Sequence, residues 1–220
     1  MFPLSDSIRS PRFPFFNLAV IAATIFIFIQ QIISPTPDAF LYQYSLIPSQ
    51  INPSDSATWL PFVTAIFLHG GFLHILSNMW FLWVFGDNVE THIGAIPFLF
   101  FYFLSGIVGN LTQYILMPDS SIPMLGASGA VAGILGAYYV LFPHSKIKTF
   151  VPFFGFITIV NISAPFMLGY WFVLQLISGT VSLPGASDVG GVAFWAHVGG
   201  FATGLILAKL FSKENSYSHS

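Results

Sequence analysis

The sequence predicts an all-α membrane protein, a bundle of six transmembrane helices with both termini in the cytoplasm. The 220 residues are 55% hydrophobic and only 6% charged, with a mean hydropathy of +0.79, whereas soluble domains carry about 25% charged residues. The basic residues also fall on one side of the membrane when the long apolar runs are threaded through it. The polar surface is too small to cover a water-soluble domain, so lipid must face much of the protein.

Six apolar runs are long enough, or nearly so, to cross about 30 Å of hydrocarbon at about 1.5 Å per residue. The predicted spans are residues 15–33, 64–85, 95–117, 128–142, 165–179 and 192–211. Residues 34–60 are polar and rich in Pro, Ser and Gln, which predicts a loop. We expect this loop to be ordered, because Leu41, Tyr42, Tyr44, Leu46 and Ile47 can lie on the membrane surface. Residues 147–162 are ambiguous, because this apolar stretch is broken by Pro152 and Gly155 and contains a cluster of β-branched residues.

Charge predicts the orientation of the spans. Arg9 and Arg12 precede the first run as they would in a signal peptide, but no cleavage site of small residues follows, so we expect a retained span. With the N-terminus inside, residues 1–14 and 212–220 become cytoplasmic tails around one membrane domain, residues 15–211, and every basic residue lies inside. The basic residues are Arg9, Arg12, Lys146, Lys148, Lys209 and Lys213, and the outer loops carry the acids Asp38, Asp55, Asp119 and Asp188.

Several functional classes are disfavoured by composition. Without cysteine, the chain has no disulfide, thiol nucleophile or thiolate metal site. A net charge of −2 gives no reason to expect nucleic acid as a partner. No charged side chain occupies a clear mid-span position, as a transporter would require. His69, His74 and His197 lack a carboxylate or cysteine to complete a metal site, so we expect neither metal nor cofactor.

One serine and one histidine attract attention because of the residues around them. Ser128 lies in a Gly-Ala-Ser-Gly turn at the start of the fourth span, and His197 lies near the start of the sixth. Ser128 lies five residues past Pro123 and His197 five residues past Val192, so each lies about 7 Å below the outer edge if the chain enters the membrane at those residues. The sequence therefore brings a hydroxyl and an imidazole to a similar depth.

Small residues predict close packing between these two spans. Gly129 and Gly133 follow the serine, and Gly200 and Gly204 follow the histidine, at the spacing that lets two membrane helices approach until their backbones nearly touch. On the sixth span the histidine shares a face with its two glycines, and on the fourth the matching face is Ser128, Ala132 and Gly136. We expect Ser128 and His197 to meet within hydrogen-bond range.

The second span adds two polar groups, His74 and Asn78. They are four residues apart and therefore share a helix face. Polar groups at membrane depth usually face a protein interior or a water-filled cavity and mark function. An amide and an imidazole directed at one point would suit a developing negative oxygen. His69, earlier in the same segment, is expected to be structural and to bond loop backbone.

Three motifs together resemble the signatures of the rhomboid family of intramembrane serine proteases, in that family's order. They are HGGFLHILSNMWFLWVFGDNVE, GASG and AHVGGFATG, on the second, fourth and sixth spans, and the resemblance covers about residues 59–208. It implies a catalytic dyad with Ser128 as nucleophile and His197 as general base. It further implies an oxyanion hole of the Asn78 and His74 side chains and the Ser128 backbone N–H, with Ala127 as a further member.

The chain departs from the family pattern at two positions. Trp59 is followed by Leu60, where the family often has Trp-Arg, so the loop must be anchored differently. Ala132 stands where some relatives place an aromatic ring against the histidine, so the imidazole must be held in another way. The nearest acids, Asp87 and Glu90, lie at the inner end of the second span, so we expect no triad acid.

The sequence favours a serine endopeptidase that cleaves membrane-spanning proteins near the outer face, where a helix unwinds and exposes its carbonyls to attack. Its expected partners are such substrates and the lipid bilayer. The expected location is a prokaryotic plasma membrane, with the site towards the outer face. The alternative is a non-catalytic rhomboid-like protein that binds membrane clients. Such a protein would lose the serine or the histidine, whereas this chain retains both.

Overall fold

The computed structural model describes residues 1–8, 10–153, 156–181 and 192–214. Within these residues the chain forms eight α-helices and three β-strands. The helices are α1 Phe15–Ile33, α2 Pro37–Tyr44, α3 Pro61–Thr64, α4 Phe72–Ile93, α5 Ala95–Leu116, α6 Ser128–Leu141, α7 Ala164–Val181 and α8 Phe194–Glu214. Some sequence predictions rest on Arg9, Gly155, Asp188, residues 215–220 and the Lys213 side chain, which lie outside the described residues.

The helices are those of a multi-pass membrane protein. In the described part of the chain, α1, α5, α7 and α8 are each long and apolar enough to cross a membrane. α4 is bent by 79° from the helical turns of Ser56–Phe67 that precede it. If these turns and α4 are counted as one broken span, they give a fifth candidate span. The remaining apolar helix, α6, has only 14 residues. The described residues therefore contain four or five candidate membrane spans, and the count of six spans stays a prediction.

The short helix α6 lies at the centre of the bundle. Every residue from Gly129 to Tyr138 is buried, and α6 packs against α4, α5, α7 and α8. Its composition suits this position, because its glycines and alanines let neighbouring membrane helices approach closely. The position of α6 fixes that of Ser128, its first residue.

The contact between α6 and α8 is made by backbone. A Cβ atom on Gly200 would overlap the carbonyl group of Gly129, and one on Gly204 would overlap that of Gly133. The predicted close approach of these four glycines is therefore present. On α6 a third glycine, Gly136, meets the backbone of Phe201 in the same way.

The face of α6 that meets α8 differs slightly from the predicted face. The contact is made by Gly129, Gly133 and Gly136, whereas the prediction paired Gly136 with Ser128 and Ala132. The reason is steric, since only residues without a Cβ can lie where two backbones touch. Ser128 and Ala132 lie beside this contact and line a cavity instead.

The long loop before α4 is ordered by contacts with the segment that leads to Ser128. Leu46 and Met124 exchange two backbone hydrogen bonds of 3.0 and 2.7 Å, and the Leu46 side chain is fully buried. Trp59 stacks on Phe62, with ring centroids 5.3 Å apart, and meets the edge of Tyr114. Aromatic packing thus anchors the loop where the sequence lacks the arginine of the family pattern.

A three-stranded antiparallel sheet adds a β component that the all-α prediction did not include. It is formed by β1 Phe2–Asp6, β2 Lys146–Phe153 and β3 Phe156–Ser163, with β2 in the middle. The ambiguous residues 147–162 are thus mostly strand, as their β-branched residues favour. Pairing of β1 with β2 ends at Phe150, so Pro152, which cannot donate a backbone hydrogen bond, lies where β2 has lost one neighbour.

The first strand is anchored in the bundle through Asp6. Its carboxylate accepts hydrogen bonds from Asn88 Nδ2 at 2.7 Å and from the Tyr138 hydroxyl at 2.5 Å. Three residues earlier in β1, the carbonyl of Pro3 accepts a hydrogen bond from Trp80 Nε1 at 2.7 Å. Burial raises the pKa of Asp6 above its ordinary value, although both donors oppose this shift. Part of the predicted N-terminal tail is therefore an integral strand of the fold.

A buried carboxylate also fixes the start of α1. Glu90 accepts hydrogen bonds from the backbone N–H groups of Phe16 and Asn17, at 3.1 and 2.7 Å. The first N–H groups of a helix have no partner within the helix, and a negative charge there is favourable. The start of α1, the end of α4 and the sheet therefore lie together at the end of the bundle opposite to Ser128.

We predict that Gly200→Ala destabilises the protein by about 1–3 kcal/mol, the usual range for overpacking, because the added methyl group would separate α8 from α6. The same change should displace His197 from Ser128. Thermal unfolding in detergent measures the first effect. The matched control is Gly169→Ala on α7, where an added Cβ would have only an ordinary contact of 3.8 Å with Tyr139. Equal stability of the two variants would contradict the backbone contact.

We predict that Asp6→Ala lowers the free energy of unfolding by about 1–3 kcal/mol, because it leaves the donors on Asn88 and Tyr138 without their acceptor. Asp6→Asn keeps an acceptor oxygen and should be milder. Since the folded pKa of Asp6 is raised, the protonated form favours the fold, and stability falls as the pH rises through that pKa. Asp6→Asn should remove this slope, which thermal unfolding across a pH series measures. An unchanged slope would contradict the burial of the carboxyl group.

Candidate active site

A glycine with positive φ, Gly126, precedes Ser128 at the start of α6. Gly126 has φ of +126°, a conformation that residues with a Cβ rarely adopt. Its N–H donates to the carbonyl of Ala65 at 2.9 Å. A Cβ at this position would also lie 2.8 Å from His74 Nε2. The glycine thus lets the chain turn tightly past the imidazole of α4 before the serine begins its helix.

Ser128 and His197 are in direct contact. The Nε2 atom of His197 lies 2.7 Å from the hydroxyl oxygen of Ser128, so the hydrogen bond expected from the sequence is present. Both residues lie in the first turn of their helices. One residue further on, Gly129 meets Gly200 at the backbone contact between α6 and α8, which holds the two side chains at this distance.

The Nδ1 edge of the His197 imidazole is in contact with α7. The sequence analysis did not predict this contact. The Nδ1 atom of His197 lies 2.8 Å from Gln175 Oε1. Trp171, one helical turn earlier, packs beside the ring with centroids 5.7 Å apart and an interplanar angle of 33°. Gln175 and Trp171 thus restrain the imidazole, as an aromatic ring at the position of Ala132 would do in some relatives. The available signal was a glutamine at membrane depth four residues after a tryptophan.

A cavity of about 400 Å³ contains these groups. Its polar end is formed by Ser128, His197, His74 and Asn78, together with Ser77. Its remaining wall is largely apolar and includes Phe81, Val131, Ala132, Leu135 and Trp171. The four side chains predicted to be reactive therefore line one space, which is large enough to admit a segment of peptide.

Two hydrogen-bond donors of α4 lie at the polar end of the cavity. His74 Nδ1 accepts the N–H of Gly70 at 3.3 Å, so in the neutral imidazole the proton is on Nε2. That Nε2 atom lies beside Gly126, on the side of Ser128. Asn78 Nδ2 donates one hydrogen bond to the carbonyl of His74 at 3.1 Å and has a second hydrogen available.

Ala127 differs from the other predicted site residues. Its backbone N–H donates to His69 Nε2 at 3.4 Å, and its side chain is fully buried and does not line the described cavity. His69 also bonds the Phe67 carbonyl through Nδ1 at 3.2 Å and fits the structural role expected for it. Because its N–H is engaged in bracing the loop, Ala127 is a poor member of an oxyanion hole.

Within the described residues, no group of three His, Cys, Asp or Glu side chains could hold a metal ion. The polar side chains that line the cavity are two hydroxyls, two imidazoles and one amide. A serine hydroxyl hydrogen-bonded to an imidazole, which a third group orients, is the arrangement by which serine becomes a nucleophile.

Comparison with known proteins confirms the family resemblance. The Rhomboid domain family model matches residues 56–214. The chain belongs to the rhomboid family. This rhomboid is 34% identical over 179 residues to Rhomboid protein 1, mitochondrial, of Saccharomyces cerevisiae, in an alignment that covers 79% of the chain and 47% of that relative.

Two further relatives come from other membranes. The rhomboid chain is 30% identical over 167 residues to Rhomboid-like protein 11, chloroplastic, of Arabidopsis thaliana, covering 73% of the chain and 55% of the relative. It is 32% identical over 161 residues to Rhomboid protease GluP of Bacillus subtilis, covering 71% and 28%. The matched region thus spans between 28% and 55% of the length of these three curated relatives.

Proposed function

We propose that the protein is an intramembrane serine endopeptidase that hydrolyses peptide bonds of membrane-spanning substrates near the outer face of the membrane. Ser128 is the nucleophile and His197 the general base. The observation that carries this proposal is the 2.7 Å contact between His197 Nε2 and the Ser128 hydroxyl, inside a cavity lined by further hydrogen-bond donors. Family membership supports it, since one relative is named a rhomboid protease.

The proposed reaction follows from the positions of these atoms. As the Ser128 oxygen attacks the scissile carbonyl carbon, its proton passes to His197 Nε2. The imidazolium then gives that proton to the leaving amine, and an acyl-enzyme forms. Water entering the cavity loses a proton to the same nitrogen and attacks the ester, which releases the second product and restores the serine.

The carbonyl oxygen becomes negative in the intermediate, and donors at the polar end of the cavity can stabilise it. We assign this role to His74 Nε2, the free hydrogen of Asn78 Nδ2 and the backbone N–H of Ser128. The last is the first N–H of α6, where no carbonyl within the helix is available to it. Ala127 is left out because its N–H is directed at His69.

The six-span topology is part of the proposal, with α4 and the short α6 as the second and fourth spans. The sheet supports it, because pairing of β1 with β2 puts the chain before α1 and the chain after α6 at one end of the bundle. An even number of crossings must separate them. Arg12, Lys146 and Lys148 lie in these same segments, which favours a cytoplasmic location for that end of the bundle.

The substrate class follows from the location of the site. A helix in lipid has its carbonyls bonded within the helix, so a spanning substrate must unwind near the cavity to be cut. The apolar wall suits the side chains of such a segment, and the polar end suits water. The relatives belong to mitochondria, chloroplasts and bacteria, so the prokaryotic plasma membrane stays a prediction.

We predict that Ser128→Ala and His197→Ala insert and fold but cleave no single-span substrate in liposomes, because each removes one member of the proton-transfer pair. A serine-directed fluorophosphonate should label the wild type and fail to label Ser128→Ala. The matched control is Ser77→Ala, which removes another hydroxyl of the same cavity and should keep the label. Cleavage by purified Ser128→Ala would overturn the nucleophile. A folded wild type that neither labels nor cleaves would favour the client-binding alternative.

We predict that Asn78→Ala lowers kcat by up to ~10²–10³, the range for loss of one oxyanion donor, while KM changes little. Asn78→Asp keeps the size of the side chain but directs a negative charge at the developing oxyanion, so its loss should be at least as large. Steady-state cleavage assays measure both. A wild-type rate in Asn78→Asp would exclude a donor role for this residue.

A further inference from the structure

We propose that Gln175 is a positioning residue for the reaction, holding His197 in the tautomer that can accept the proton of Ser128. This inference rests on the proposed function, since it concerns the same imidazole. It goes beyond the dyad by assigning the third member of the chain of hydrogen bonds to a neutral amide on α7.

The geometry is that of a relay of three side chains from three helices. Gln175 Oε1 on α7 lies 2.8 Å from His197 Nδ1 on α8, and His197 Nε2 lies 2.7 Å from the Ser128 oxygen on α6. A carbonyl oxygen only accepts, so Nδ1 must carry the hydrogen. In the neutral ring this leaves the lone pair on Nε2, directed at the serine.

The orientation of Gln175 is supported by its surroundings. Gln175 and Trp171 are four residues apart and share the face of α7 that meets His197. The tryptophan ring lies beside the imidazole and limits rotation of the ring about its bond to Cβ. The hydrogen bond from Nδ1 to Gln175 fixes the tautomer of the imidazole, and the contact with the Trp171 ring fixes its plane.

An imidazole without such a partner would be a poor base here. Its two neutral tautomers are close in energy, and only one of them can accept the serine proton. In the described lining of the cavity, His74 on α4 is the other ionisable side chain. The groups that α6 and α7 direct at His197 are Ser128, Trp171 and Gln175, all of them neutral, so no carboxylate performs this task there.

The test compares three substitutions on α7 in the 220-residue chain. Gln175→Met keeps the length of the side chain but removes the acceptor, and Gln175→Glu keeps an acceptor oxygen and adds charge. The matched control is Leu174→Met, since Leu174 is 39% exposed on the neighbouring position of the same helix. Each variant is assayed for kcat and KM on a single-span substrate, for the rate of fluorophosphonate labelling of Ser128, and for thermal unfolding.

Gln175→Met is expected to lower kcat and the labelling rate by roughly tenfold or more, with KM within about twofold. The loss should stay below the ~10⁴-fold effect of the wrong tautomer in triad proteases, because Trp171 still restrains the ring. Gln175→Glu should recover most of the activity. Its rate profile should also reach its acidic limb at higher pH, because a carboxylate stabilises the imidazolium. Leu174→Met should behave as the wild type.

Two results would overturn the inference while leaving the proposed function intact. One is a wild-type rate in Gln175→Met. The other is an equal loss in Gln175→Met and Gln175→Glu with an unmoved pH profile, which would mean that the glutamine only packs. A wild type that folds but neither labels nor cleaves would instead reject the proposed function, and the positioning role with it.

A spectroscopic measurement tests the tautomer without relying on activity. In protein carrying isotope-labelled histidine nitrogens, the signals of His197 are those absent from the spectrum of His197→Ala. We expect the wild type to show a protonated Nδ1 and an unprotonated Nε2, and Gln175→Met to show a mixture of tautomers. The same single tautomer in both proteins would overturn the assignment of Gln175.

Discussion

The backbone contact between α6 and α8 governs the geometry of the site. In lipid the hydrophobic effect does not drive helices together, so association depends on van der Waals packing and hydrogen bonds between helices. Gly129 against Gly200 and Gly133 against Gly204 provide such packing over two turns. The hydroxyl of Ser128 and the imidazole of His197 project from the first turns beside this contact. The separation of the reacting groups is therefore set by residues that have no side chain.

The sequence could predict this contact because its signal is local. Glycines at a spacing of four residues identify a packing face without knowledge of the partner. The strand β1 could not be predicted in this way, since Phe2 pairs with Phe150, far along the chain. Residues 147–162 were ambiguous for a related reason, because a short apolar run fits a buried strand or a membrane helix equally well.

The candidate site was predictable to the extent that its residues are unusual at membrane depth. His74, Asn78 and His197 stand out in apolar surroundings, and all three line the cavity. Gln175 belongs to none of the three motifs. Its one sequence signal is a polar side chain at membrane depth, and its contact with His197 was needed to connect it with the site. For Ala127 the sequence could not show that its N–H points to His69, because the direction of a loop amide depends on the fold.

A neutral amide is a reasonable orienting group for a base in this environment. Two carboxylates at the other end of the bundle, the half-buried Asp6 and the buried Glu90, each accept two hydrogen bonds, as expected where desolvation of a charge costs several kcal/mol. A carboxylate beside His197 would need similar donors, whereas Gln175 fixes the tautomer without introducing a charge. In the proposed reaction, such a base gains less electrostatic support for its imidazolium than a triad provides. The proposed mechanism must then rely on donors around the oxyanion for much of the rate.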